Sequence, residues 1–162
     1  MDKKRGPVPP LPHIAAQPGF GEAFSGSTRS LYPMGKTIRQ TVLFDSPPHE
    51  VFEALLDSKQ HAAFTGDKAK INRRIGGTFS VFGGWAKGKT LRLEKDKIIV
   101  QSWRTVEFAV DDPDSQVMFH FSKKGKGTRL IFVHSKVPED QVKAVRQGWK
   151  DFYWRPLKAY LG

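Results

Sequence analysis

The sequence predicts an α+β fold: a curved, seven-stranded antiparallel sheet wrapped around a long C-terminal helix, with two short helices after the first strand. Three features carry that expectation. Apolar and polar residues alternate over residues 37–44, the period of a half-buried strand. Six more short apolar runs follow between Ala69 and His134, divided by turn residues. Over residues 138–161, Val142, Val145, Trp149, Phe152, Tyr153, Leu157 and Tyr160 fall at helical spacing. A meander of strands curves and leaves a face to be covered, and the simplest packing curls it around that last helix.

In the first strand Ile38, Gln40, Val42 and Phe44 share one face, with Thr37, Arg39, Thr41 and Leu43 on the other. Ser46 reads as an N-cap ahead of Pro47 and Pro48, where missing N–H groups cost nothing. Val51, Phe52, Leu55 and Leu56 stripe the first helix, and a second short helix over residues 58–64 is closed by Thr65-Gly66-Asp67. The remaining strands are read at residues 69–72, 78–82, 89–94, 98–104, 116–122 and 128–134. Pro156 is expected to kink the last helix or end its regular part near Arg155, because proline lacks an N–H and crowds the preceding turn.

The 162 residues suffice for a packed core without a staple, and the absence of cysteine excludes a disulfide scaffold and a thiol nucleophile. No run of ten apolar residues occurs, so neither a membrane span nor the apolar stretch of a signal peptide is expected, and the cytoplasm is the default address. Residues 1–36 hold six prolines and read as a flexible extension, although Phe20, Phe24, Leu31 and Tyr32 could dock on the domain or on a partner. Residues 37–162 read as the folded domain. Of the net charge of +11, about +8 belongs to that domain, which favours anionic partners.

Several motifs are similar to those of a known family: Asp45-Ser46-Pro47-Pro48 with Val51-Phe52-Glu53-Ala54-Leu55, then His61-Ala62-Ala63-Phe64-Thr65-Gly66. Gly76-Gly77-Thr78-Phe79, Phe82-Gly83-Gly84, Gly88, Ser102-Trp103-Arg104 and Gln147-Gly148-Trp149 before Tyr153-Trp154 follow in order. Together they resemble the activator of heat-shock protein 90 ATPase family in its C-terminal-domain-like form, within the START-like (SRPBCC, birch-pollen-allergen-like) helix-grip superfamily. That resemblance implies the fold above and a binding module without catalysis. It implies two kinds of partner: a hydrophobic small molecule held between sheet and helix, or a heat-shock protein 90 chaperone at the surface. In the two-domain eukaryotic co-chaperone that names the family, a separate N-terminal domain carries much of the chaperone contact.

The search for chemistry finds no catalytic set, no cofactor motif and no metal site. His120 and His134 lie on neighbouring strands, but a turn at residues 124–127 puts His134 opposite a residue near 117, roughly 10 Å or more from His120 along the sheet. The glycine pairs lack phosphate-loop spacing, and the carboxylates of Asp111, Asp112 and Asp114 sit in a solvated loop. What stands out is a surplus of rings. Phe79, Trp85, Trp103, Phe119, Phe121, Phe132, Trp149, Phe152 and Tyr153, with His134, are the candidate pocket residues. They fit either an interdigitated core or a ligand-lined cavity. An enzyme of the cyclase or hydrolase type would instead need His120, His134, Arg104 and Tyr153 to converge. Lys143, Arg146 and Lys150 with Lys87, Lys89, Arg92, Lys123, Lys124 and Lys126 could form one anion-binding surface. Nucleic acid is disfavoured, since no strand face interleaves aromatic and basic residues in an RNP-like pattern.

Overall fold

The computed structural model describes residues 35–162; the expected extension at residues 1–36 lies outside them apart from its last two. The elements are β1 (Lys36–Phe44), α1 (Pro48–Leu56), α2 (Ser58–Thr65), β2 (Ala69–Ile71), β3 (Thr78–Val81), β4 (Ala86–Glu94) and β5 (Ile98–Thr105). β6 (Ser115–Lys124), β7 (Gly127–Val137), α3 (Val142–Trp149), a π-helical turn (Lys150–Trp154) and α4 (Arg155–Leu161) complete the chain. The seven strands form one antiparallel sheet in the order β1-β7-β6-β5-β4-β3-β2.

Alternation decides which way each strand faces. β1 buries Ile38, Val42 and Phe44 and exposes Arg39, Thr41 and Leu43. Its inward amide, Gln40, is used at both ends: Oε1 accepts from the Trp154 indole at 2.7 Å and Nε2 donates to the Arg146 carbonyl at 3.1 Å. The first strand is thereby tied to the last helix. β6 and β7 take the expected register, with Val117 opposite His134, Phe119 opposite Phe132 and Phe121 opposite Leu130. All six point into the core.

Two local readings need correction. Pro47, not Ser46, caps α1, and it makes no side-chain bond. Ser46 is buried at the strand-to-helix corner, where its carbonyl accepts the Thr128 hydroxyl at 2.7 Å. Asp57 instead provides the side-chain cap, for α2, accepting the Gln60 N–H at 2.9 Å. The second correction is that β4 starts at Ala86 rather than at 89, so Gly88 is a strand residue and not a turn. A Cβ there would collide with the Ser102 carbonyl oxygen and stand 2.7 Å from the Phe79 ring, which covers this position from the opposite strand. Glycine is what lets the ring and the neighbouring backbone close on β4.

The regular part of the C-terminal helix ends at Trp149, a little before the expected position near Arg155, and α-helical geometry resumes at Arg155. After a 3₁₀ turn at Glu139–Gln141, α3 gives way to the π turn, and Arg155 donates its N–H back to the Lys150 carbonyl. Pro156 follows at the start of α4. Widening the helix by one residue ahead of the proline relieves its clash with the carbonyl four residues back. The wider turn also changes which residues align. Trp149 and Trp154, five apart, stack at 5.6 Å with 21° between their planes. Both are 4% exposed.

Two glycines give opposite expectations for the same substitution. Gly88→Ala is expected to destabilise the fold by about 2–3 kcal/mol through overpacking. Gly148→Ala, where an added Cβ meets no more than the Phe152 ring at 4.0 Å, is expected to stabilise α3 by about 1 kcal/mol. Urea unfolding of the two variants checks both signs, and equal effects would refute the packing argument.

Candidate functional site

The space between sheet and helix is where the sequence placed its candidate pocket. Most of the candidates do meet there. Trp149 is 4.3 Å from Phe132, 4.5 Å from Tyr153 and 5.0 Å from Trp103, measured between ring centroids. Phe119 lies 5.2 Å from Phe132, Phe79 lies 5.8 Å from Trp103, and Phe121 meets Phe52 edge-on at 5.7 Å. Phe152 and Trp85 are half-buried and pack against the margin of the cluster. These rings fill the space rather than frame it. A small void among them measures about 10 Å³, room for about one water molecule, and takes in Phe79, Trp103, Phe119 and Tyr153 of the ten candidates.

Two polar constellations cross this apolar interior. In the first, the Trp149 indole donates to His134 Nδ1 at 3.0 Å, while His134 Nε2 is 2.8 Å from the Ser115 hydroxyl. Ser115 in turn donates to the Trp103 carbonyl at 2.6 Å. An indole can only donate, so Nδ1 carries the lone pair and the proton sits on Nε2, pointing at Ser115. Every group in the chain is then satisfied with a neutral imidazole. Burial agrees, holding His134 down to about 3.

The second pair escaped the sequence reading. His61 Nε2 lies 2.7 Å from the Tyr153 hydroxyl, both groups are buried, and both line the small void. Burial pushes His61 down to about 3 and the Tyr153 phenol well above its ordinary range. Among the described residues His61 Nδ1 has no hydrogen-bond partner. The apolar stripe of α1 was visible in the sequence, but α2 carries too little apolar periodicity to show that its one histidine turns inward toward a tyrosine 92 residues away.

The four residues an enzyme would need do not assemble. His134 and Tyr153 point inward to different partners. His120 alternates with the buried residues of β6 and so faces outward. Arg104 faces outward on β5, where its guanidinium donates to the Ala109 carbonyl at 2.7 Å, the Asp112 carbonyl at 2.8 Å and Asp114 Oδ1 at 3.1 Å. Among the described residues no group of three His, Asp or Glu side chains could hold a metal ion. None of their helices is long and apolar enough to cross a membrane.

Nor do the basic residues form a single surface. Lys87 and Lys89 belong to the end of the sheet beside Arg104 and Ser115, whereas Lys123, Lys124 and Lys126 surround the β6–β7 turn. The two ends are roughly 30 Å apart along the strands. Lys143, Arg146 and Lys150 lie on the helices beneath the sheet.

A curled antiparallel sheet gripping a C-terminal helix defines a START-like, helix-grip module. Residues 45–162 match the family described as "Activator of Hsp90 ATPase homolog 1-like protein", and the chain belongs to that family. The activator of 90 kDa heat shock protein ATPase homolog of Dictyostelium discoideum is 30% identical over 125 residues, covering 76% of this chain and 32% of that protein. An uncharacterised protein of Schizosaccharomyces pombe is 30% identical over 142 residues, 88% of this chain and 42% of its own length. The chain thus matches less than half the length of each of these relatives. Among solved structures, an HSP90 activator from Plasmodium falciparum superposes with a TM-score of 0.73 at 24% identity, over 79% of this chain and 97% of that one.

The neutral histidines make stability depend on pH. Unfolded, both titrate near 6.5, and folded, both are held near 3. Between those values the unfolded chain binds more protons, so stability present above about pH 6.5 is lost as pH falls toward 3. The unfolding free energy is expected to fall with a slope of up to about 1.4 kcal/mol per pH unit for each histidine. His134→Gln keeps an acceptor for Trp149 and a donor for Ser115 and should remove one share of that slope; a slope unchanged in urea titrations would contradict the assignment.

Proposed function

We propose that this domain is a non-enzymatic, protein-binding module of the cytoplasm that engages a heat-shock protein 90 chaperone through its surface and alters its ATPase cycle. Residues 37–162 are its working unit. The observation that carries the choice of surface over cavity is the ring packing beneath the helix, where Trp149 meets Phe132, Tyr153 and Trp103 and the small void beside them, about 10 Å³, cannot take an apolar ligand of even a few carbon atoms. Family membership supports the choice of partner. The two buried histidine networks support the absence of catalysis, because both are enclosed by rings.

The full chain added to purified heat-shock protein 90 is expected to bind saturably and to change ATP turnover, an effect abolished by an inhibitor of the chaperone's nucleotide site. Absence of both binding and rate change would sink the chaperone reading. Native mass spectrometry of the chain purified from cell extract is expected to show the bare mass. A stoichiometric apolar ligand travelling with it would restore the cavity reading.

A further inference from the structure

The outer face of the sheet at its β2 end carries an open groove of about 950 Å³ that the chaperone reading does not use. Its floor is built from cross-strand neighbours. Lys70 faces Ser80, Ser80 faces Lys87, and Lys87 faces Arg104, one row across four strands. In the adjoining row Thr78 faces Lys89, whose N–H is accepted by the Ser102 hydroxyl at 2.9 Å. Lysines and hydroxyls thus interleave over a strip that is about 14 Å wide at ordinary strand spacing.

The cations in this strip are not balanced from within. Lys87 stands directly opposite Arg104, a like-charge pair that weakens a sheet. Arg104 is committed elsewhere: it pairs with Asp114, the one carboxylate lining the groove, and its guanidinium stacks on Phe108 at 5.5 Å. In doing so it holds the loop at residues 109–114 at the β5 end of the strip. Lys70, Lys87 and Lys89 have no ion pair among the described residues. Arg73, Arg92 and Arg155 elsewhere on the surface are paired, but Lys143 and Arg146 on the helix face are not, so what distinguishes the groove lysines is their shared row with the hydroxyls and not the lack of an ion pair alone.

We propose that this groove binds an acidic, extended polypeptide segment of a partner protein, with Lys70, Lys87 and Lys89 meeting successive carboxylates and the hydroxyls meeting its backbone. Other anions fit less well. Lysines spread over an open strip do not converge on one phosphate, and the amino end of α2, which borders the groove at Ser58, is already capped by Asp57. A nucleic-acid strand would need exposed rings to stack on, whereas the one ring of the groove, Phe79, is buried against Gly88. The proposal goes beyond the chaperone reading and stands without it, since any partner bearing such a segment would serve.

The test uses the full chain and a fluorescent glutamate-rich peptide, read by anisotropy at low and at physiological salt. Binding should weaken roughly tenfold in Lys87→Gln/Lys89→Gln, the effect of two exposed ion pairs. The double variant Lys143→Gln/Arg146→Gln removes the same charge from the helix face and should leave affinity within twofold. Equal weakening by both pairs would reduce the effect to net charge and overturn the groove, as would absence of peptide binding. Tighter binding of an oligo-dT strand, lost in the same Lys87→Gln/Lys89→Gln variant, would overturn the choice of polypeptide, as would full competition by equimolar inorganic phosphate. Both outcomes can be read whether or not the chain acts on a chaperone.

Discussion

Pro156 sets the constraint on which the interior depends. The C-terminal helix has to stay pressed against the sheet for its whole length, yet a proline within it removes a hydrogen bond and crowds the turn behind. The π turn at Lys150–Trp154 resolves the conflict without a break, and its extra residue rotates Trp154 onto the face already used by Trp149. The two indoles stack, one donating to His134 and the other to Gln40. Helix, β7 and β1 are joined by two hydrogen bonds that a regular α-helix, with its 3.6-residue turn, would not have aligned. The filled core follows from the same turn, because the space a helix-grip fold can leave for a ligand is taken by Trp149, Tyr153 and Trp154.

Polar groups in such a core are tolerable only when satisfied. The His134 chain meets that condition with one tautomer and no charge, and so acts as a spacer of defined geometry between α3 and the ends of β5 and β6. The His61–Tyr153 pair joins α2 to the π turn in the same way, but leaves Nδ1 unpartnered beside the small void. That nitrogen is one of two buried side-chain polar atoms without a hydrogen-bond partner among the described residues, the other being the Trp85 indole nitrogen, and protonating it would place a charge among Phe64, Phe82 and Tyr153. Both histidines therefore brace the fold at neutral pH and weaken it in acid.

Much of this was legible in the sequence, for identifiable reasons. Alternation in the first strand and turn residues between the later apolar runs marked all seven strands, and the turn at Lys124–Gly127 was enough to set His134 opposite a residue near 117, which is Val117, because an antiparallel hairpin fixes its own register. Gly88 misled, since a glycine inside a strand looks like the end of one until the ring that lies over it is seen. The helix was found from its apolar spacing, but the π turn was not, because Trp154 reads as off the stripe at 3.6 residues per turn and comes onto it only at the wider pitch. His61 was placed correctly in a helix, while its inward direction depended on a tyrosine from the far end of the chain.

The same division between local and long-range information governs the surface. Counting lysines along the chain suggested one basic face, but strand direction separates the β6–β7 turn from the β4 residues by most of the sheet's length. What concentrates positive charge is the cross-strand register: it brings Lys70, Lys87 and Arg104, far apart in sequence, into one row. A filled interior gives that row its weight. With the inner face of the sheet occupied by rings and the helix by its contacts to them, recognition falls to outward residues, whose charges a folded core neither needs nor neutralises. The like-charged pair Lys87 and Arg104 works against the sheet's stability, and the fold answers half of it by turning Arg104 onto the neighbouring loop. The half left unanswered, at Lys87, is where an external carboxylate would be most strongly felt.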